Sequence, residues 1–125
     1  MITVHYCEEV LFDLPPPTLL YMGNSEGFRV LAAAIAEMLH YRKELCVNYF
    51  PGVTVNGTDK QLLFRPFDHQ TVSLVTNNSI VTDVSEADWQ EIAQQLRSLA
   101  EASGSQTYFL ELGGYIDQVN VVFES

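Results

Sequence analysis

TLLYMGNSEGFRVLAAAIAEM, residues 18–38, is answered later in the chain by SIVTDVSEADWQEIAQQLRSL, residues 79–99. In the first copy the β-rich run Thr18 to Met22 leads into Ser25-Glu26 and then into Phe28, Leu31, Ala32, Ile35 and Met38. In the second, Ser79 to Asp83 leads into Ser85-Glu86 and then into Trp89, Ile92, Ala93, Leu96 and Leu99. Apolar residues three and four apart lie on one face of a helix, so each copy reads as strand, cap and amphipathic helix. The first helix is expected over residues 24–40, opened by Gly23-Asn24-Ser25. The second opens on Ser85-Glu86-Ala87-Asp88, a capping box whose serine and fourth-position carboxylate satisfy first-turn amides.

Outward from these cores the match continues. Leu45 to Phe50 and Gln61 to Phe64 follow the first helix as Tyr108 to Leu112 and Val119 to Phe123, around Gly113-Gly114, follow the second. Pro51-Gly52 and Asn56-Gly57 mark turns. Ahead of the first copy, Ile2 to Cys7 alternates as a strand does, and Val10-Leu11-Phe12 either extends or pairs with it. Pro15-Pro16-Pro17 then imposes a stiff extended connection. Ahead of the second, Thr71 to Thr76 and Ser79 to Asp83 form a hairpin about Asn77-Asn78, a pair that tolerates the left-handed backbone of a two-residue turn.

Each half is thus strand, strand, helix, strand, strand. The expected fold is α+β, internally duplicated, with antiparallel sheets or one long curved sheet packed on two helices. Neither helix buries its stripe alone, so residues 1–125 are read as a single domain made of pseudo-repeats 1–65 and 66–125. Sheets of this kind have edges that invite pairing, which makes a homodimer an expectation as well.

Apolar residues make up 47% of the chain and charged residues 18%, the balance of a globular protein able to fold without metals or disulfides. The net charge is −10, unevenly placed. Residues 1–65 carry five basic and seven acidic side chains, whereas residues 66–125 carry Arg97 against nine acids. Such a field repels phosphate backbones and speeds the approach of a cationic partner. No apolar run nears the roughly 18 residues that span a bilayer, and the first residues lack the basic flank of a signal peptide, so a cytoplasmic location is expected. Cys7 and Cys46, far apart and outside any CxxC spacing, read as buried reduced thiols.

Catalytic and ligand motifs are sparse. His5, His40 and His69 show no metal-binding spacing relative to one another. His5 and Cys7 share a strand face, with Cys46 a third donor if its strand is adjacent; Asp68-His69 is an acid-base pair without a nucleophile elbow. Glu8-Glu9 points to opposite sides and is read as solvated. Gly23 to Gly27 is a cap before it is an anion site, because Glu26 repels phosphate. Trp89 is read as core, not as a ligand platform. No catalytic residue, cofactor site or metal site is assigned.

Two resemblances bear on function. The stretch Gly23-Asn24-Ser25-Glu26-Gly27-Phe28, with Leu31-Ala32 and Ile35-Ala36 after it, resembles the glycine, cap and helix pattern of some small α+β immunity proteins of bacterial polymorphic toxin systems. That resemblance implies a non-enzymatic protein that binds and blocks a toxin. The repeated unit of four strands and a helix also resembles, in permuted order, the duplicated unit of Whirly-type single-strand binders. Tyr49, Phe50, Tyr108 and Phe109 would then stack bases, against six basic residues for sixteen acidic ones.

The expectation is therefore a non-catalytic binding module, of the immunity-inhibitor type, with a basic protein as partner. Asp83, Glu86, Asp88, Glu91, Glu101 and Glu111 are the candidate contacts. The alternative is a regulator that binds single-stranded nucleic acid or a small ligand.

Overall fold

A computed structural model describes residues 1–67, 72–111 and 118–125. In chain order, β1 (Ile2–Cys7) and β2 (Thr18–Gly23) lead to α1 (Ser25–Tyr41), β3 (Leu45–Cys46), a 3-10 turn (Val47–Tyr49), β4 (Val53–Asn56) and β5 (Gln61–Pro66). β6 (Val72–Val75), β7 (Ser79–Val84), α2 (Glu86–Glu101), β8 (Thr107–Phe109) and β9 (Asn120–Glu124) complete the described elements. The protein is α+β, as its pattern predicts.

Both helices start where a side chain takes over a free amide. Asn24 Oδ1 accepts from the Gly27 N–H at 2.8 Å, and Ser85 Oγ accepts from the Asp88 N–H at 3.2 Å. The cap of α1 is thus Asn24 and not Ser25. The same turn also has no room for a side chain at Gly27, where a Cβ would meet the Met1 carbonyl oxygen at 2.5 Å. α1 ends without a glycine: Arg42 takes the left-handed conformation, φ 52°, and its N–H returns to the Met38 carbonyl.

The strands form two mixed sheets rather than antiparallel ones. The five-stranded sheet has the order β4-β1-β2-β9-β8 and the four-stranded sheet β3-β5-β7-β6. β2 and β9 pair in parallel from Thr18↔Asn120 to Met22↔Glu124, and β5 and β7 pair in parallel from Gln61↔Ser79 to Pro66↔Val84. Each half therefore places its last strand beside the hairpin of the other half. Burial explains the choice: Val121, Val122 and Phe123 are all buried, as are Ile80 to Val84, and such continuous runs suit strands covered on both faces.

One hydrophobic cluster draws on both sheets and both helices, including Val4, Tyr21, Phe28, Ile35, Phe64, Ile80, Trp89, Leu96 and Phe123. Aromatic rings run through it in series. Trp89 lies 4.9 Å from Phe64, Phe64 lies 5.7 Å from Tyr21, Tyr21 lies 4.9 Å from Phe123, and Phe123 lies 6.2 Å from Tyr108. Trp89 also donates its indole N–H to the Arg65 carbonyl at 2.8 Å.

Several local expectations change. Leu45 to Phe50 is not one strand, because Asn48 substitutes for the ladder: its Oδ1 accepts from Leu62 N at 2.6 Å and its Nδ2 donates to Lys60 O at 3.2 Å. Val10-Leu11-Phe12 is not a strand either; Leu11 and Leu14 close a tight turn whose central residues Phe12 and Asp13 have φ of 55° and 59°. The hairpin about Asn77-Asn78 forms, with Val75 opposite Ile80, but neither asparagine has positive φ. Its carbonyls are held instead by Lys60, whose Nζ donates to Thr76 O and Asn77 O, each at 2.8 Å. Gly113-Gly114 lies outside the described residues. Among the described residues, no helix is long and apolar enough to cross a membrane.

Two predictions come from the core. Trp89→Ala removes a buried ring packed on Phe64 and should lower stability by about 3–5 kcal/mol in urea unfolding, with both halves melting in one transition. The Tyr21 hydroxyl is buried with no hydrogen-bond partner among the described residues, and burial holds its phenol far above the ordinary range. The folded protein then keeps a proton that the unfolded chain releases above about pH 10. Stability is full below that pH and falls as pH rises, by about 1.4 kcal/mol per unit for this group. Tyr21→Phe should raise stability at neutral pH by about 1–3 kcal/mol and flatten the alkaline loss by one proton; a less stable variant would refute the orphaned hydroxyl.

Candidate functional site

The six acids named from the sequence fall into different environments. Asp83 is not part of an open acidic face. It stands opposite Arg65 in the β5–β7 register and takes two hydrogen bonds from the guanidinium, at 2.7 and 2.9 Å, with its side chain 13% exposed. Glu86 is exposed in the first turn of α2 and pairs with Arg42 at 3.0 Å, tying the end of α1 to the start of α2. Glu101 is exposed at the end of α2.

Asp88, Glu91 and Glu111 come together. They line a groove of about 260 Å³ between the first turns of α2 and β8, with Ile92, Tyr108, Phe109 and Leu110 as its other walls. The helix supplies Asp88 and Glu91 three residues apart, hence on one face, while Glu111 follows β8. Acids at the start of α2 also stand at the positive end of the helix dipole. Tyr108, the last ring of the aromatic series, faces inward and rests on Phe123. Burial and then the charges of Glu91, Glu111 and Asp88 push its phenol above the ordinary range.

The groove combines negative charge with an aromatic wall. That combination suits a guanidinium or ammonium group, which gains from the carboxylates and from the ring face together. The larger depression near Tyr6, Cys7, Glu8, Glu9 and Gly57, about 490 Å³, is a weaker candidate because nearly all its walls come from one continuous segment. Glu8 and Glu9 are both exposed there.

The other sequence readings separate. Cys46 lies in the four-stranded sheet and His5 and Cys7 in the five-stranded one, so the three do not meet. Among the described residues no three His, Cys, Asp or Glu side chains are placed to hold one metal ion. Both thiols are half-buried rather than buried. Burial and the charge of Glu9 push the Cys7 thiol up, away from thiolate reactivity. Asp68-His69 lies outside the described residues. The first-turn amide of α1 that an anion would use is already taken by Asn24.

The residues that sequence reasoning did not join to the acids are Tyr108, Ile92 and Leu110. The signal for Ile92 was the apolar stripe of α2, and for Tyr108 and Leu110 the alternation of β8, which turns Tyr108 inward and leaves Phe109 outward, 45% exposed.

The electrostatic coupling in the groove is directly measurable. Glu91→Gln or Glu111→Gln should lower the titration midpoint of Tyr108, followed by ring NMR or ultraviolet absorbance, and added salt should lower it in the parent protein. An unchanged midpoint in both variants would mean that the carboxylates do not act on the ring.

No protein-family model matches the chain, and comparison with curated proteins gives no match.

Proposed function

We propose that this protein is a non-catalytic binding module that holds a basic protein partner, in the manner of an inhibitor of the immunity type. The observation that carries the reading is the convergence of Asp88, Glu91 and Glu111 from two separate elements on the aromatic wall of Tyr108. A net charge of −10 adds a long-range field that steers a cationic surface toward the protein. Asp83 and Glu86 are engaged by Arg65 and Arg42, which sets them apart from Glu91 and Glu111 on the groove wall.

Single-strand binding has less support. Tyr49 belongs to the 3-10 turn and accepts a hydrogen bond from Gln61 Nε2 at 3.0 Å, whereas Tyr108 is turned into the groove. These rings do not form one stacking platform, and acids surround the inner one.

The test is affinity capture from native lysate at low and moderate salt, run in parallel with a Glu91→Gln/Glu111→Gln variant. A basic protein retained in stoichiometric amount by the parent, released by salt and lost by the variant is the expected result. Equal retention by parent and variant would refute the groove as the contact.

A further inference from the structure

Four described strands lie at sheet edges, and they are not equivalent. β3 has two residues. The rim of β6 is occupied, since Ser73 N–H donates to Gln118 Oε1 at 3.2 Å and Val119 N–H donates to Ser73 O at 2.8 Å. β4 carries no charged side chain. β8 has β9 on one side only, and among the described residues nothing pairs with its other rim.

The ladder of β8 shows which backbone groups lie on that rim. Ser125 N–H donates to Gln106 O and Leu110 N–H donates to Val121 O, each at 3.0 Å. In an antiparallel pair alternate residues face the partner, so Gln106, Tyr108 and Leu110 point to β9 while Thr107 and Phe109 turn their backbone groups outward. On the helix side of this rim lies the acidic groove around Tyr108. On the other side Phe109 is exposed and meets Phe12 edge-on, ring centres 5.5 Å apart.

Phe12 is held there at a cost. Two consecutive non-glycine residues, Phe12 and Asp13, take the left-handed conformation that side chains disfavour. Strain of this kind is kept where a side chain must be presented in one place.

A strand added to the β8 rim would send successive side chains alternately to these two surfaces. Basic residues would reach Glu91 and Glu111, and apolar residues would reach Phe109 and Phe12. A second copy of this chain would bring the same carboxylates to both sides of the seam, which like-charge repulsion opposes. Resting on the cationic-partner reading above, we propose that the rim of β8 is a docking edge, completed by an extended partner segment that alternates basic and apolar residues.

The experiment uses the isotopically labelled full chain and two blocked octapeptides of equal composition, at neutral pH and low salt where their charge keeps them monomeric. One alternates lysine and valine; the other has four lysines followed by four valines. The alternating peptide should slow solvent exchange of the Thr107 and Phe109 amides several-fold more than the block peptide does. Thr107→Pro should abolish that preference while leaving the melting temperature unchanged, because the lost N–H faces away from β9. If that variant does not fold, an alternating peptide methylated on its backbone nitrogens replaces it and should fail to protect the two amides.

Equal, salt-sensitive shifts of Glu91 and Glu111 with both peptides, without amide protection, would overturn the docking edge and leave the acidic-groove reading standing. No shift of either carboxylate with either peptide would overturn both. Amides already protected in peptide-free protein, with doubled mass in sedimentation, would assign the rim to a second copy and overturn the proposal.

Discussion

Parallel pairing between opposite halves is the constraint on which the rest of this structure depends. β9 lies between β2 and β8, and β5 lies between β3 and β7, so each half completes a sheet that the other begins. Once those strands are seated, the inward faces of both sheets hold Leu62, Phe64, Val121 and Phe123 against the two helices. The core is shared because the strands are exchanged, and the helices are covered because the core is shared. The aromatic series from Trp89 to Tyr108 follows this exchange across five elements and ends at the wall of the acidic groove. Packing in the interior therefore sets where the inward ring of β8 stands relative to Glu91.

What was legible in the sequence is what local physics writes there. The two helices follow from a 3.6-residue stripe and from capping side chains, and the hairpin follows from alternation on both sides of Asn77-Asn78. The partner of a strand is not written locally. The exchange of β5 and β9 had a trace only in their unbroken apolar runs, which read equally as strands within their own half. Asn48 was illegible for a related reason, because an asparagine that replaces ladder bonds looks like any turn residue until Leu62 is placed beside it.

The candidate site was legible as a composition and not as a place. Six acids in the second half stood out, but only their surroundings distinguish them. The parallel register sets Asp83 opposite Arg65 and removes it from the surface field, whereas helical spacing joins Asp88 to Glu91 and the fold brings Glu111 to both. Tyr108 offered no mark beyond being an aromatic on an alternating strand, and its place comes from burial beside Glu91, Glu111 and Asp88. Phe12 stood in a run that resembled a strand, and a strained turn carries it to the far side of the same edge.

The position of β9 also has a consequence in time. It is an interior strand of the five-stranded sheet, yet its residues, Asn120 to Glu124, are synthesised after those of every other strand described here. Until β9 is made, β2 has no parallel neighbour and β8 lacks its partner among the described strands. The apolar faces of β1, β2 and α1 therefore wait, unsealed, for β9. The five-stranded sheet closes only after β9 leaves the exit tunnel, and until then the nascent chain presents an open sheet to chaperones and to its neighbours.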